Sequence, residues 1–132
     1  MATDGIEGLQ VETRNYGATA AFWSSLGFTN EFETDHGSGR WMHPAGGPYV
    51  FIREQHDTEL EIRPVLRVAE ASRFTPRRPP DFARPFTPQH WGVAEALVRD
   101  PDGRTVSLQA PLPDGAEAPE TGPQENGHED PR

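Results

Sequence analysis

Residues 90–111, HWGVAEALVRDPDGRTVSLQAP, decide the fold of this chain. Residues 100–103 form a tight-turn sequence between two strand-like runs. In the second run, one face is set by Arg104, Val106, Leu108 and Ala110, and the other by Thr105, Ser107 and Gln109. The stretch therefore predicts a β-hairpin with one apolar face and one polar, uncharged face. That polar face either holds a metal, holds a catalytic base or only lines a pocket.

The composition indicates one loop-rich domain. Of 132 residues, 33% are hydrophobic, and 14 Pro and 13 Gly indicate that much of the chain is loop. Cysteine is absent, which excludes disulfides, thiolate metal sites and a cysteine nucleophile. We expect a soluble cytoplasmic protein, because no apolar run approaches the length of a membrane span and no signal-peptide pattern begins the chain.

The charge argues against nucleic-acid binding. A net charge of −9 repels phosphate backbones and attracts cationic small molecules. The alternative is that the acidic excess only keeps the protein soluble. Part of it lies at the end of the chain, where residues 114–132 have no aromatic residue and no aliphatic residue larger than Ala. We therefore expect a folded domain over residues 1–112 and a disordered acidic tail over residues 113–132.

The first half of the chain has a βαβββ pattern. IEGLQVE is typical of a half-buried strand, with Leu9 and Val11 on the apolar face. A helix is predicted next, with Asn15 as N-cap and Gly27 just past its end. Its residues at helical spacing are Ala18, Ala21, Phe22, Ser25 and Leu26. Three strands are predicted at residues 28–34, 39–43 and 48–54, separated by Gly-rich turns.

The second half predicts the same pattern with a reduced helix. A strand is expected at residues 58–68, interrupted or bulged at Pro64. Residues 75–89 contain five prolines, which exclude a long helix and predict a loop, either a solvated one or one that docks or closes over a ligand. The closing hairpin follows. The fold class is therefore α+β, built from two βαβββ modules.

Two segments resemble a known family. AAFWSSLGFTNEF (residues 20–32) is similar to the helix-to-strand segment of the glyoxalase/bleomycin-resistance (vicinal oxygen chelate) superfamily, and residues 90–111 are similar to its closing hairpin. Within that superfamily the chain is most similar to bleomycin-binding resistance proteins. The resemblance implies a crevice enclosed by the two modules, a homodimer, and a small-molecule antibiotic as the binding partner.

The resemblance also identifies where a metal would be held, and the residues there do not suit one. The first-strand position falls on Gly8, the second-module position near Arg63, and the final-strand position on Ser107. Glycine offers no donor, arginine has the wrong charge, and a neutral hydroxyl is a poor ligand for a hard cation. Glu61 lies within the alignment error of Arg63, but one carboxylate does not make this site. We expect no metal and no cofactor.

Other side chains offer alternatives for chemistry. Four histidines could gather into an unusual metal site, although their spacing is not that of ligands on one element; they are His36, His43, His56 and His90. Glu54, Glu59 and Glu61 could serve in acid–base work or form a solvated strand edge. No serine has the context of an activated nucleophile. We therefore expect no catalytic residue.

Aromatic side chains suit the binding of a flat ligand better. Stacking and desolvation supply affinity for a conjugated drug without any reaction. Phe32, Trp41 and Trp91 are candidates for ligand contact or for ordinary core burial. The complete predicted ligand-binding set is Phe32, Trp41, His43, Phe51, Glu61, His90, Trp91 and Ser107.

The predicted function is sequestration of a DNA-damaging natural product, either bleomycin-type or an anthraquinone-fused enediyne, without modifying it. The alternative is an enzyme of the same superfamily, a lyase, isomerase, thiol transferase or dioxygenase. A metal-free version would act through His43 or Glu61. A third interpretation is a domain whose proline-rich loop docks a partner protein.

Overall fold

The computed structural model describes residues 2–57 and 59–113. These residues form two compact units. The N-terminal unit comprises residues 7–63, and the C-terminal unit comprises residues 2–6 together with the chain from residue 64. The predicted acidic tail lies, from residue 114 onward, outside the described residues. None of the helices in residues 2–57 and 59–113 is long and apolar enough to cross a membrane.

The N-terminal unit confirms the predicted βαβββ order. Its elements are β1 (Ile6–Thr13), α1 (Tyr16–Ser25), β2 (Thr29–Glu33), β3 (Ser38–Met42) and β4 (Tyr49–Glu54). The strands lie in the order β2-β3-β4-β1, antiparallel except for the parallel pair β1–β4. Leu9 and Val11 pack on the α1 side, as the alternation of β1 predicts. Gly8 and Gln10, on the other side, are also buried, so β1 is covered on both sides where a half-buried strand was expected.

Helix α1 begins and ends where its capping residues predict. Asn15 Oδ1 accepts a hydrogen bond from Ala18 N at 3.0 Å. Gly27 has φ of 99°, a left-handed conformation that favours glycine. Phe28 then packs edge-on against Trp23, with ring centroids 5.2 Å apart. These contacts fix the connection from α1 into β2.

The face of α1 that packs differs from the one that its apolar spacing suggested. The residues at that spacing are all exposed: Ala18, Ala21, Phe22, Ser25 and Leu26. Phe22 is 56% exposed to solvent. The helix contacts the sheet through Tyr16, Ala20 and Trp23 instead. Aromatic and small residues occur on both sides of this helix. The sheet selects the side with Trp23, whose large ring packs against the buried cluster that contains Val11, Trp41, Val50 and Ile52.

The C-terminal unit repeats the same connectivity with almost no helix. It contains β5 (Ile62–Arg67), a single 3₁₀ turn (Ala71–Arg73), β6 (Asp81–Pro88), β7 (Val93–Arg99) and β8 (Thr105–Pro111). The strand order is β5-β8-β7-β6, antiparallel except for the parallel pair β5–β8. The predicted α+β fold of two βαβββ modules, the second with a reduced helix, is thereby confirmed.

The expectation of a loop over residues 75–89 is wrong for its second half, which is strand β6. This strand lies at the edge of its unit and pairs with β7 through two register shifts, one between Phe82 and Arg84 and one between Arg84 and Thr87. Proline lacks an N–H donor, so it is tolerated at a sheet edge and at bulges. Pro85 lies at the second shift, which explains how a proline-rich segment joins the sheet.

The closing hairpin forms as its sequence predicts. Asp100 Oδ1 accepts hydrogen bonds from the backbone N–H groups of Asp102 and Arg104 at 2.9 and 2.8 Å. The bond from Arg104 N is the main cause of a lowered pKa at Asp100. Val106, Leu108 and Ala110 pack on the side of the 3₁₀ turn, against Val68, Ala96 and their neighbours. Ser107 and Gln109 therefore face the other way.

The packing of α1 predicts opposite consequences for two adjacent aromatic residues. Trp23→Ala removes a ring packed against the sheet and should lower the free energy of unfolding by about 3 kcal/mol. Phe22→Ala, the matched control on the exposed face, should cost less than about 1 kcal/mol. Urea denaturation of both variants measures this difference. A larger loss for Phe22→Ala would show that the other face of α1 is the packed one.

Candidate functional site

The polar face of the closing hairpin carries a charge, which comes from its first strand, β7, and not from the uncharged residues of β8. Glu95 on β7 is only 5% exposed and receives hydrogen bonds from Ser107 Oγ at 2.6 Å and from Gln109 Nε2 at 3.2 Å. Arg84 Nη2 on β6 donates to the other carboxylate oxygen, Oε1. Gln109 Nε2 also lies 3.1 Å from Ser107 Oγ. We call these four residues the C-terminal polar face.

The carboxylate of Glu95 is neutralised within this cluster. A buried carboxylate is costly unless it is paired and hydrogen-bonded, and here an arginine of the neighbouring strand neutralises it. Ser107 is fully buried, and its hydroxyl donates a hydrogen bond to Glu95 Oε2. The predicted ligand-binding residue Ser107 therefore supports a buried carboxylate.

The sequence analysis identified neither Glu95 nor Arg84. A signal for Glu95 existed, because the turn at residues 100–103 sets the β7–β8 register and places Glu95 directly opposite Gln109. Arg84 had no such signal, since its strand is interrupted by prolines and register shifts.

The N-terminal unit holds a second carboxylate in the same manner. Glu12 Oε2 accepts a hydrogen bond from Arg53 Nη2 at 2.9 Å, and the Glu12 side chain is 10% exposed. Its other oxygen accepts from Gln55 Nε2 at 3.3 Å and from the backbone N–H of Glu61 at 3.1 Å. The predicted site residue Glu61 is exposed and contributes here through its main chain. The carboxylate of Glu12 thus holds the segment between β4 and β5.

The first-strand metal position cannot carry a ligand side chain. Gly8 pairs with Tyr49, and a Cβ built on Gly8 would meet the carbons of the Tyr49 ring closer than real Cβ contacts occur. The tyrosine ring therefore takes the space that a first-strand histidine would need. Near the second-module position, Arg63 Nη1 donates to Gln10 Oε1 at 3.2 Å, so that position presents a cation.

The residues present do not fit the divalent metal that the family fold implies. The three positions offer a glycine under an aromatic ring, a guanidinium and a serine hydroxyl already bound to Glu95. A metal needs several deprotonated donors converging on one point. Within residues 2–57 and 59–113, no group of three His, Cys, Asp or Glu side chains is placed to hold a metal ion.

Each of the four histidines has its own neighbours. His36 Nδ1 lies 3.2 Å from Asp35, and His56 Nε2 lies 3.1 Å from Glu54. The pKa of Glu54 is lowered, first by the backbone N–H of Tyr16 and then by His56. These are exposed local pairs at turns and strand ends.

Two of the predicted ligand contacts lie on the α1 side of the N-terminal unit. Trp41 is 7% exposed and belongs to the core cluster beneath α1. His43 packs edge-on against Phe28, with ring centroids 5.2 Å apart, and its Nδ1 accepts a hydrogen bond from Ala45 N at 3.0 Å. Both residues stabilise the helix side, on the opposite side of the strands from Gln10 and Glu12.

Phe32 and Phe51 lie on the side that faces away from α1. The register pairs Arg40 with Phe51 on one neighbouring strand and with Phe32 on the other. Directly paired residues share a face of a sheet. Phe51 is almost fully buried, whereas Phe32 is partly exposed. We call Gln10, Glu12, Phe32, Arg40, Tyr49, Phe51 and Arg53 the N-terminal polar face.

His90 and Trp91 form the turn between β6 and β7. Their rings meet edge to face, with centroids 5.1 Å apart. Gly92 N donates to Gln89 O at 3.0 Å, and Gly92 has a positive φ of 92°. Trp91 is buried, and His90 is partly exposed. His90 is thus the more accessible of these two predicted contacts.

The sequence matches no protein-family model and no curated protein. Solved structures do match its fold. A glyoxalase/bleomycin resistance protein/dioxygenase superfamily member from Vibrio splendidus 12B01 is 13% identical, with a TM-score of 0.62 over 78% of this chain and 96% of that chain. BphC, a halotolerant catechol dioxygenase, is also 13% identical, with a TM-score of 0.56 over 86% of this chain and 42% of that chain.

A bleomycin-binding protein complexed with bleomycin also matches, at 19% identity over 78% of this chain and 95% of that chain. Its TM-score is 0.32, so this match carries no argument about a ligand. Identities below a quarter establish the fold alone. The Vibrio splendidus protein is a member of the superfamily that the sequence resembles, and the catechol dioxygenase is an enzyme with a similar fold.

Two arginine–carboxylate pairs between β6 and β7 allow a matched test of the C-terminal polar face. Glu95→Gln leaves Arg84 without its counter-charge and should lower the free energy of unfolding by about 3 kcal/mol. The control is Asp81→Asn, which breaks the exposed pair with Arg99 (3.1 Å) and should cost less than about 0.5 kcal/mol. Chemical denaturation measures both. Equal, small losses would mean that Glu95 is not the centre of a buried cluster.

Proposed function

We propose that this chain, which has the fold of the glyoxalase/bleomycin resistance protein/dioxygenase superfamily, binds a small-molecule antibiotic and holds it unmodified. The proposed ligand is a DNA-damaging natural product of the bleomycin type or an anthraquinone-fused enediyne. The observation that carries the proposal is the neutralisation of Glu12 and Glu95 by arginines of their own units. Binding then requires no metal-assisted step.

The donor chemistry supports binding over metal-dependent turnover. A cation entering either polar face would have to displace a guanidinium already bonded to the carboxylate. That exchange would break a charge-assisted hydrogen bond between a guanidinium and its carboxylate. Both faces instead offer rigid, hydrogen-bonded polar groups of nearly balanced charge, which suit recognition of a neutral or weakly charged molecule.

The aromatic residues support a flat ligand. Phe32 is partly exposed on the same face as the buried rings of Tyr49 and Phe51. A conjugated ring laid against Phe32 gains stacking and desolvation energy without any chemistry. We therefore retain as proposed ligand contacts Phe32, Phe51 and Glu61 in the N-terminal unit and, separately, His90, Trp91 and Ser107 in the C-terminal unit. Phe32 and His90 are their partly exposed members. Trp41 and His43, on the α1 side, are left out of this set.

Two further parts of the proposal come from the family resemblance. The ligand crevice is proposed to form in a homodimer, with two equivalent sites. The alternative is a metal-free enzyme acting through His43 or Glu61. His43 packs on the α1 side, and Glu61 is exposed on the segment held by Glu12. His43 and Glu61 thus lie in different surroundings and do not form one catalytic pair, so binding is the first proposal.

The proposal predicts saturable binding with full recovery of the drug. Chelator-dialysed protein is titrated with bleomycin and with an anthraquinone-fused enediyne while Trp fluorescence is followed. We expect one ligand per site, because a tight complex at cellular protein concentration is sufficient for resistance. Mass spectrometry of the extracted ligand should show an unchanged mass. Binding of neither drug class would contradict sequestration, and a ligand of altered mass would favour the enzyme.

The accessible and buried aromatics should respond differently to substitution. Phe32→Ala should weaken drug binding by about 1–3 kcal/mol with little loss of stability, because its ring contacts the ligand. Trp91→Ala should lower the free energy of unfolding by about 3 kcal/mol, because that ring is buried. Calorimetric titration and denaturation of each variant separate the two effects. A stable Trp91→Ala variant that no longer binds would move the contact from Phe32 to Trp91.

A further inference from the structure

Arg40 on β3 is held in an unusual way for a partly exposed arginine. Its guanidinium carbon lies 4.2 Å above the centroid of the Tyr49 ring, and its side chain is 29% exposed. Tyr49 is almost fully buried and thus provides a fixed base for this stack. Arginine stacks on aromatic faces through cation–π attraction, which keeps its planar fork in one orientation. The guanidinium is therefore preoriented before any ligand arrives.

The second partner of Arg40 engages only one corner of the fork. Nε lies 2.8 Å from Glu31 Oε1, an ion pair without the geometry of a hydrogen bond. Within residues 2–57 and 59–113, the ion pair and the ring contact of this guanidinium are those with Glu31 and Tyr49. The edge formed by Nη1 and Nη2 carries four N–H donors. That edge is the part of Arg40 that a ligand can use.

The two cross-strand neighbours of Arg40 are aromatic. Phe32 pairs directly with Arg40 on β2, and Phe51 pairs with it on β4, so both rings lie on the same side of the strands. Phe32 is partly exposed, whereas Phe51 forms the buried floor. A planar ligand lying against Phe32 would present its edge to the Arg40 fork.

We propose that Arg40 determines ligand specificity by binding a carboxylate carried on the ring system of a planar aromatic ligand. This inference rests on the proposed function and names the ligand class of that site. A carboxylate accepts two parallel hydrogen bonds from an arginine edge, a geometry that ammonium groups and neutral rings cannot match. The acidic net charge repels anions from a distance, but physiological salt screens exposed charges beyond about 8 Å. At contact distance the guanidinium of Arg40 therefore dominates.

The test compares probes that share one ring and differ in one group. Anthraquinone-2-carboxylate, anthraquinone-2-carboxamide and 2-(aminomethyl)anthraquinone are titrated into the protein by calorimetry. We expect the carboxylate to bind about tenfold more tightly than the carboxamide, the effect of one charge-assisted bond. Arg40→Gln should reduce this ratio to about one, and an unchanged circular dichroism spectrum of the variant verifies its fold. Arg40→Lys should restore only part of the ratio, because an ammonium lacks the planar fork.

Tyr49 provides the matched control for preorientation. Tyr49→Phe keeps the ring beneath the guanidinium and should retain the tenfold preference, whereas Tyr49→Leu removes the stack and should lower it. An unchanged preference in Arg40→Gln, or tightest binding of the aminomethyl probe, would overturn the assignment. Equal binding of carboxylate and carboxamide would overturn the assignment alone. Failure of all three probes and of both drug classes would overturn it together with the proposed function.

Discussion

A buried carboxylate must be neutralised, and each unit of this protein meets that requirement with an arginine from an adjacent strand. Arg53 holds Glu12 between β1 and β4, and Arg84 holds Glu95 between β6 and β7. Removing either partner would leave an uncompensated charge, so these pairs constrain strand register as well as charge. In the same pairs, the carboxylate oxygens of Glu12 and Glu95, which could otherwise donate to a cation, are bonded to arginine. The contacts that stabilise each unit are therefore also the contacts that oppose metal binding at these two carboxylates.

Tyr49 has two roles in the N-terminal unit. The Tyr49 ring covers Gly8, where a first-strand ligand would otherwise extend, and its face supports the guanidinium of Arg40. The Tyr49 ring thus fills the space that a first-strand metal ligand would need. The same ring orients the guanidinium of Arg40, whose neighbour on β2 is Phe32. In the function that we propose, the N-terminal polar face supplies aromatic area to a flat molecule and a directed cation to one substituent.

Local patterns in the sequence predicted most of the fold. The turn at residues 100–103, the cap at Asn15 and the left-handed Gly27 each depend on neighbouring residues, and each is confirmed. The packed side of α1 was mispredicted because apolar residues lie on both sides of the helix, and only the sheet selects between them. Strand β6 escaped prediction because proline, which normally argues against strands, is tolerated at an edge.

The candidate site depends on non-local pairing, which explains why its sequence prediction was incomplete. Tyr49 meets Gly8 through a parallel pairing that no turn specifies. The central claim is that, among residues 2–57 and 59–113, the arginine-neutralised carboxylates leave no metal site. Calorimetric titration of chelator-treated protein with Zn²⁺, Ni²⁺ and Mn²⁺ tests it most directly. The account predicts no stoichiometric binding; one tightly bound ion per chain that is lost in Glu95→Gln would contradict it.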